Sequence, residues 1–109
     1  MERHTPMTES EFIRLADEVF TRIENTLDAG EDDVEYSFNG SVLEIEFDDD
    51  SKIIVNRHTP NREIWIAARS GGFHYGFKDG QWLSQRDGGE LFGKLNELLR
   101  LAGCTHTRF

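Results

Sequence analysis

The sequence predicts an α+β fold: a two-layer sandwich in which two terminal helices pack on one face of an antiparallel sheet of five to six strands. Three observations predict it. Apolar residues recur at helical spacing near both ends of the chain, over 12–27 and 91–102. Between those stretches, short runs alternate apolar with polar residues. The runs are separated by turn-forming residues at Asn39-Gly40, Asp48–Ser51, Pro60, Ser70-Gly71-Gly72 and Asp79-Gly80. Each helix carries one apolar stripe, so each buries one side. Alternating strands bury one sheet face and leave the other to water.

In chain order, residues 1–7 read as a loose tail. Thr8 or Ser10 offers an N-cap, and Glu11 stands three residues after Thr8, as a capping box requires. Phe12, Leu15, Ala16, Val19, Phe20, Ile23 and Leu27 form the stripe of the first helix, and Gly30 stops it. At about 100° per residue, Asp17, Thr21, Glu24 and Asp28 share one flank of that stripe. Val34, Tyr36 and Phe38 alternate in the first strand, and Asn39-Gly40 is a strong hairpin signal. Further strands are expected from Val42 to Phe47, Lys52 to Arg57, Glu63 to Arg69, Phe73 to Lys78 and Gln81 to Ser84. Leu91, Phe92, Leu95, Leu98, Leu99 and Ala102 form the stripe of the second helix, which Gly103 stops. The 109 residues make one domain with one modest core.

Charge is distributed unevenly. The formal net charge is −9, yet residues 1–50 hold 16 acids and 3 bases while residues 51–109 hold 5 acids and 9 bases. An acidic face that steers cationic partners follows from this asymmetry. Nucleic-acid binding is disfavoured, because phosphate contact needs a basic footprint. No apolar run reaches the roughly 18 residues that span a bilayer. With one cysteine, Cys104, the chain forms no internal disulfide, and a reduced cytoplasmic protein is expected.

Two features stand out as candidate sites. The first is the acidic set Asp17, Glu18, Glu24, Asp28, Glu31, Asp32, Asp33 and Glu35, with no basic partners nearby in sequence. Carboxylate oxygens suit hard cations such as iron, calcium, magnesium and manganese. Spread over a helix flank and a loop, they would make a shallow, wet, weak site; a merely solvated acidic face is the competing reading. The second is Trp65. If Ile64 and Ile66 face the helices, Trp65 stands on the open sheet face as a binding anchor, or else lies flat over its strand neighbours. His4, His58, His74 and His106 show no ligand spacing, and Cys104 with His106 sits at an end expected to fray. No nucleophile–base constellation is visible, so no catalytic residue is assigned.

The chain resembles the bacterial frataxin (CyaY) family. The resemblance is carried by Ser10-Glu11-Phe12 with Leu15-Ala16-Asp17, by the acidic helix end, by Gly40–Ile45 with Ser51–Arg57, and by Pro60 followed by Ile64–Ala67 and Ser70–Tyr75. His58 and Glu63 stand where members of that family usually carry glutamine. The resemblance implies weak iron binding along the acidic set and a role in iron-sulfur cluster assembly, as regulator of a cysteine desulfurase, as iron donor, or both. It implies contact with that enzyme and with the scaffold protein, through Asp28 and Glu31 on the ridge and through Asn56 and Trp65 on the sheet. It also implies a monomer that oligomerises under iron load. Two alternatives are a ferroxidase acting on ferrous iron at the ridge and an electrostatic adaptor that ignores metal. Against the ferroxidase, the Glu-x-x-His pairing of helical di-iron sites is absent from the sequence.

Overall fold

A computed structural model describes residues 7–109. The first helix, α1, spans Glu9–Ala29. Thr8 is its N-cap: its hydroxyl accepts the Glu11 N–H at 3.1 Å, and the Glu11 carboxylate reaches back to the Thr8 N–H at 3.3 Å. Phe12, Ala16, Val19, Phe20, Ile23 and Leu27 are buried as the spacing predicts, whereas Leu15 is half-buried at the stripe's margin. The part of the expected tail at 1–6 lies outside the described residues. Met7 is not loose; it packs on the core.

Six strands follow: β1 (Glu35–Phe38), β2 (Val42–Glu46), β3 (Lys52–His58), β4 (Glu63–Ala68), β5 (Gly71–Lys78) and β6 (Gln81–Leu83). They pair antiparallel in the sequential order β1-β2-β3-β4-β5-β6, a meander in which every connection is short. Gly40 makes the β1–β2 turn at φ 94°, in the left-handed region where glycine is favoured. A 3-10 turn at Thr59–Asn61, built around Pro60, joins β3 to β4. The second helix, α2, spans Leu91–Leu101 and is capped by the Glu90 carboxylate, which accepts the Phe92 and Gly93 N–H groups. Gly103 closes it at φ 92°.

Register fixes which residues share a face. Leu43 pairs with Val55, Val55 with Ile66, and Ile66 with Phe73; Ile64 pairs with Tyr75. These side chains point at the helices, and Leu43, Val55, Ile64, Ile66 and Tyr75 are buried there with the α1 stripe and Leu91, Leu95 and Leu99 of α2. Their strand neighbours point the other way. Asn56 pairs with Trp65 and Trp65 with His74, so these three form a row across the open face.

The chain after α2 does not fray. Cys104 and Thr107 are buried. The Phe109 N–H donates to Asn96 at 2.8 Å, and the Phe109 ring packs on Phe92 with centroids 5.3 Å apart. Folding back sets Thr107 against Gly30 at the end of α1 and Phe109 against Phe92 of α2.

Candidate functional site

The acidic set divides into groups with different partners. Asp17, on α1, is ion-paired with Arg57 of β3 at 2.9 Å, and the Arg57 side chain is only 18% exposed. Glu18 is paired with Arg14, one turn earlier on the helix, at 3.1 Å. The expectation that the carboxylates lack basic partners therefore fails at these two positions. Arg14 lies at i−4 from Glu18, and Arg57 reaches Asp17 from the end of a strand 40 residues away, a contact only the fold creates.

Among the described residues, no cation pairs with Asp28. Its carboxylate accepts the Tyr36 hydroxyl at 2.8 Å, tying the end of α1 to β1. That bond, together with partial burial and the charges of Asp28 and Glu24, raises the Tyr36 phenol above its ordinary value, so Tyr36 stays a donor. Glu24 is half-buried on the same flank. Glu31 and Asp33 are exposed in the loop between α1 and β1. Glu35 begins β1 directly opposite Glu46, a like-charge pair on the open face. Lys52 stands 3.5 Å from Glu44 and 4.0 Å from Glu46. Glu44, Glu46 and Lys52 also belong to this acidic edge; their alternation in β2 and β3 is the sequence signal for it, and the β1–β2 register sets them beside Glu35.

Asp32 plays a structural part. Its carboxylate accepts the His106 N–H at 2.8 Å and lies 3.6 Å from the His106 imidazole, and its side chain is only 14% exposed. Partial burial pushes its pKa up, but the Thr107 hydroxyl, the His106 N–H and the His106 ring together pull it below the ordinary 3.8. A folded-state value below the unfolded one adds stability above the unfolded value, lost as pH falls through the folded one. Asp32→Asn should therefore lower stability at neutral pH and make the fold less sensitive to acid below about pH 4. Equal acid sensitivity in the two proteins, measured by thermal melts from pH 7 to 3, would separate Asp32 from this linkage.

Among the described residues, no three histidine, cysteine or acidic side chains converge where they could hold a metal ion. The carboxylates offer hard oxygen donors at the surface but, among the described residues, no preformed cage. Burial raises the Cys104 thiol above its ordinary value, with Asp32 and Asp48 adding to the effect, which leaves no reactive thiolate beside His106.

On the other side of the sheet, Trp65 is half-buried on the open face between buried Ile64 and Ile66, as the alternation predicts. Its indole is stacked on both sides. The His58 ring lies 3.8 Å away at an interplanar angle of 7°, and the His74 ring 4.1 Å away at 8°. The indole N–H donates to Glu63 at 2.8 Å. Asn56 stands beside Trp65 on β3. Asn56 and Trp65 thus share one surface, while Asp28 and the rest of the α1 flank lie in the helical layer behind the sheet. His58 and His74 have no ligand spacing in the sequence; the fold sets both against Trp65, His74 as its register partner on β5 and His58 diagonally from β3, two residues beyond its partner Asn56.

Residues 5–103 match the model of the frataxin-like domain. The iron-sulfur cluster assembly protein CyaY of Neisseria meningitidis serogroup B is 51% identical over 96 residues, covering 88% of this chain and 90% of its own. The frataxin of Psychromonas ingrahamii superposes with a TM-score of 0.85 at 35% identity, covering 94% of this chain and 96% of its own. A trimeric frataxin of the yeast Saccharomyces cerevisiae, in a ferrous complex, has the same fold with a TM-score of 0.67 at 23% identity, covering 94% and 91%.

Proposed function

The chain belongs to the bacterial frataxin family, and on that footing we propose that it serves iron-sulfur cluster assembly in the cytoplasm by docking on a cysteine desulfurase and its scaffold protein, with iron held only loosely as cargo. The observation that carries this reading is the split of the acidic set. Asp17, Glu18 and Asp32 are engaged within the fold, while Asp28, Glu31, Asp33 and Glu35 face solvent without a cation of this chain, among the described residues, to neutralise them. Like charges held close raise the energy of the free protein, and a basic partner surface relieves that cost. Hydrated ferrous iron relieves it as well, but with no three ligands converging it stays weakly bound and exchangeable. Named ligands for that loose association are Glu24, Asp28, Glu31, Asp33 and Glu35. Asp17, Glu18 and Asp32, expected from sequence to join them, would first have to leave Arg57, Arg14 and His106. The same lack of a built site gives a ferroxidase no supporting geometry. The relative named for iron-sulfur cluster assembly supports the pathway, and the yeast frataxin described as trimeric and complexed with ferrous iron supports iron as the cation and assembly beyond the monomer.

The second contact surface in this reading is the open sheet face, anchored by Trp65 and Asn56. Trp65→Ala should reduce affinity for the desulfurase–scaffold complex by about tenfold or more, the size expected of a central aromatic anchor. The melting temperature should stay within a few degrees, because Trp65 is on the solvent side of the sheet. Calorimetric titration and a thermal melt on the same variant decide it; unchanged affinity would remove the sheet face from the interface.

A further inference from the structure

Trp65 in this chain has no free aromatic face. His58 sits on β3, Trp65 on β4 and His74 on β5, so the imidazoles flank the indole from opposite sides. At 3.8 and 4.1 Å between centroids, with planes within 8° of parallel, the ring normals run along the direction from strand to strand. The three rings therefore stand upright on the sheet and turn their edges to solvent. Ring edges are the electropositive side of an aromatic, and an imidazole edge also carries an N–H.

The acceptors near this ladder are already in use. Glu63 accepts the indole N–H at 2.8 Å, and Asp87, at the far side of the recess next to His74, accepts the Gly89 N–H at 2.9 Å. That recess, of about 290 Å³, is lined in part by Glu63, His74, Arg86 and Asp87, so an exposed guanidinium joins the imidazole there as a second donor. His58 Nδ1 is buried without a partner, which leaves Nε2 as the nitrogen that another molecule can meet. One metal ion does not bridge the two imidazoles, because the indole lies between them and metal–nitrogen bonds are about 2 Å long.

We propose that the open sheet face recognises its partner through the His58 and His74 edges of the His58–Trp65–His74 ladder, which donate hydrogen bonds to backbone carbonyl oxygens of a partner protein segment. The inference rests on the reading of this face as a docking surface and specifies the chemistry of the partner. A partner offering a cation or a ring to stack on Trp65 is disfavoured, since both faces of the indole are covered. The ridge of α1 selects the opposite chemistry, a basic surface, so the ridge and the ladder fit different partner surfaces.

The test compares three variants by calorimetric titration with the desulfurase–scaffold complex. His58→Phe with His74→Phe keeps rings on both sides of Trp65 but removes the nitrogens. Affinity should fall about tenfold, the loss expected of two hydrogen bonds. His58→Gln with His74→Gln restores side-chain N–H donors without rings and should return affinity to within about threefold of the parent. Parent-like affinity in the phenylalanine pair, or glutamine variants as weak as the phenylalanine ones, would overturn the proposal, because stacking or shape would then suffice. Trp65→Ala separates the two levels. If it binds weakly while the phenylalanine pair binds normally, the face docks but not through donated hydrogen bonds; if neither variant loses affinity, the docking reading of the face falls too. Near-ultraviolet circular dichroism confirms that each variant retains the parent fold.

Discussion

Reversal of Asp28 and Glu31 to lysine should weaken binding to a cysteine desulfurase by tenfold or more at low salt, a loss of at least about 1.4 kcal/mol. These two positions are the informative ones. Among the described residues Asp28 accepts a phenol hydroxyl alone, and Glu31 is exposed in the loop after α1, so neither holds an ion pair there that its loss would break. Reversal at Asp17 or Asp32 would release Arg57 or the His106 segment and confuse binding with stability. The effect should arise mainly from association, because exposed charges steer encounter over a Debye length. It should therefore shrink as salt rises toward 1 M, where that length is about 3 Å. Stopped-flow association across a salt series checks this; affinity unchanged at low salt would take the ridge out of the interface.

A large effect on stability is expected at Gly30. This residue caps α1 at φ −71°, an ordinary extended conformation, so its glycine is not explained by backbone freedom. The reason is contact: a Cβ at Gly30 would lie 2.3 Å from Thr107 Oγ1 and 2.9 Å from Thr107 Cγ2. Because Thr107 is buried and its neighbour His106 is held by Asp32, the side chain cannot yield without disturbing that link. Gly30→Ala should cost about 1–3 kcal/mol, the usual range for overpacking. At about 4–8 °C per kcal/mol for a domain near this size, the melting temperature should drop by roughly 5–20 °C. Thr107→Gly in the same protein should recover much of the loss, a non-additivity measurable in a double-mutant cycle. Additive losses would mean that Gly30 and Thr107 do not meet.

Gly30 also shows how the sequence could be read and where the reading stopped. Its position as a helix stop was legible from the end of the apolar stripe. Its reason was not, since Thr107 lies 77 residues further on and reaches it only through tertiary folding. The same division runs through the rest of the molecule. The helices, the strand phases and the open-face position of Trp65 followed from local periodicity, which side-chain geometry imposes residue by residue. The six-stranded order and the register followed in outline, because short turns leave a meander as the simplest pairing. The site was legible as composition, an acidic helix end and a lone outward Trp. Which carboxylates are engaged was not, because Arg57, His106 and Tyr36 meet Asp17, Asp32 and Asp28 from other elements. The segment 104–109 looked like a frayed end for the same reason: its few apolar residues carry no periodicity, and only the space beside α1 and α2 gives Thr107 and Phe109 their place.

An acidic ridge that selects a basic surface and a ring ladder that donates hydrogen bonds make a single experiment decisive. The labelled protein is titrated by NMR with ferrous iron under anaerobic conditions, and separately with a cysteine desulfurase. Iron should broaden signals from Glu24, Asp28 and residues 31–35 without saturating sharply, while Trp65 changes little; the desulfurase should shift the same acidic stretch. Iron that leaves those signals untouched while the enzyme shifts them would end the iron-cargo part of the account, and an enzyme that shifts neither the acidic stretch nor the sheet face would contradict the docking role itself.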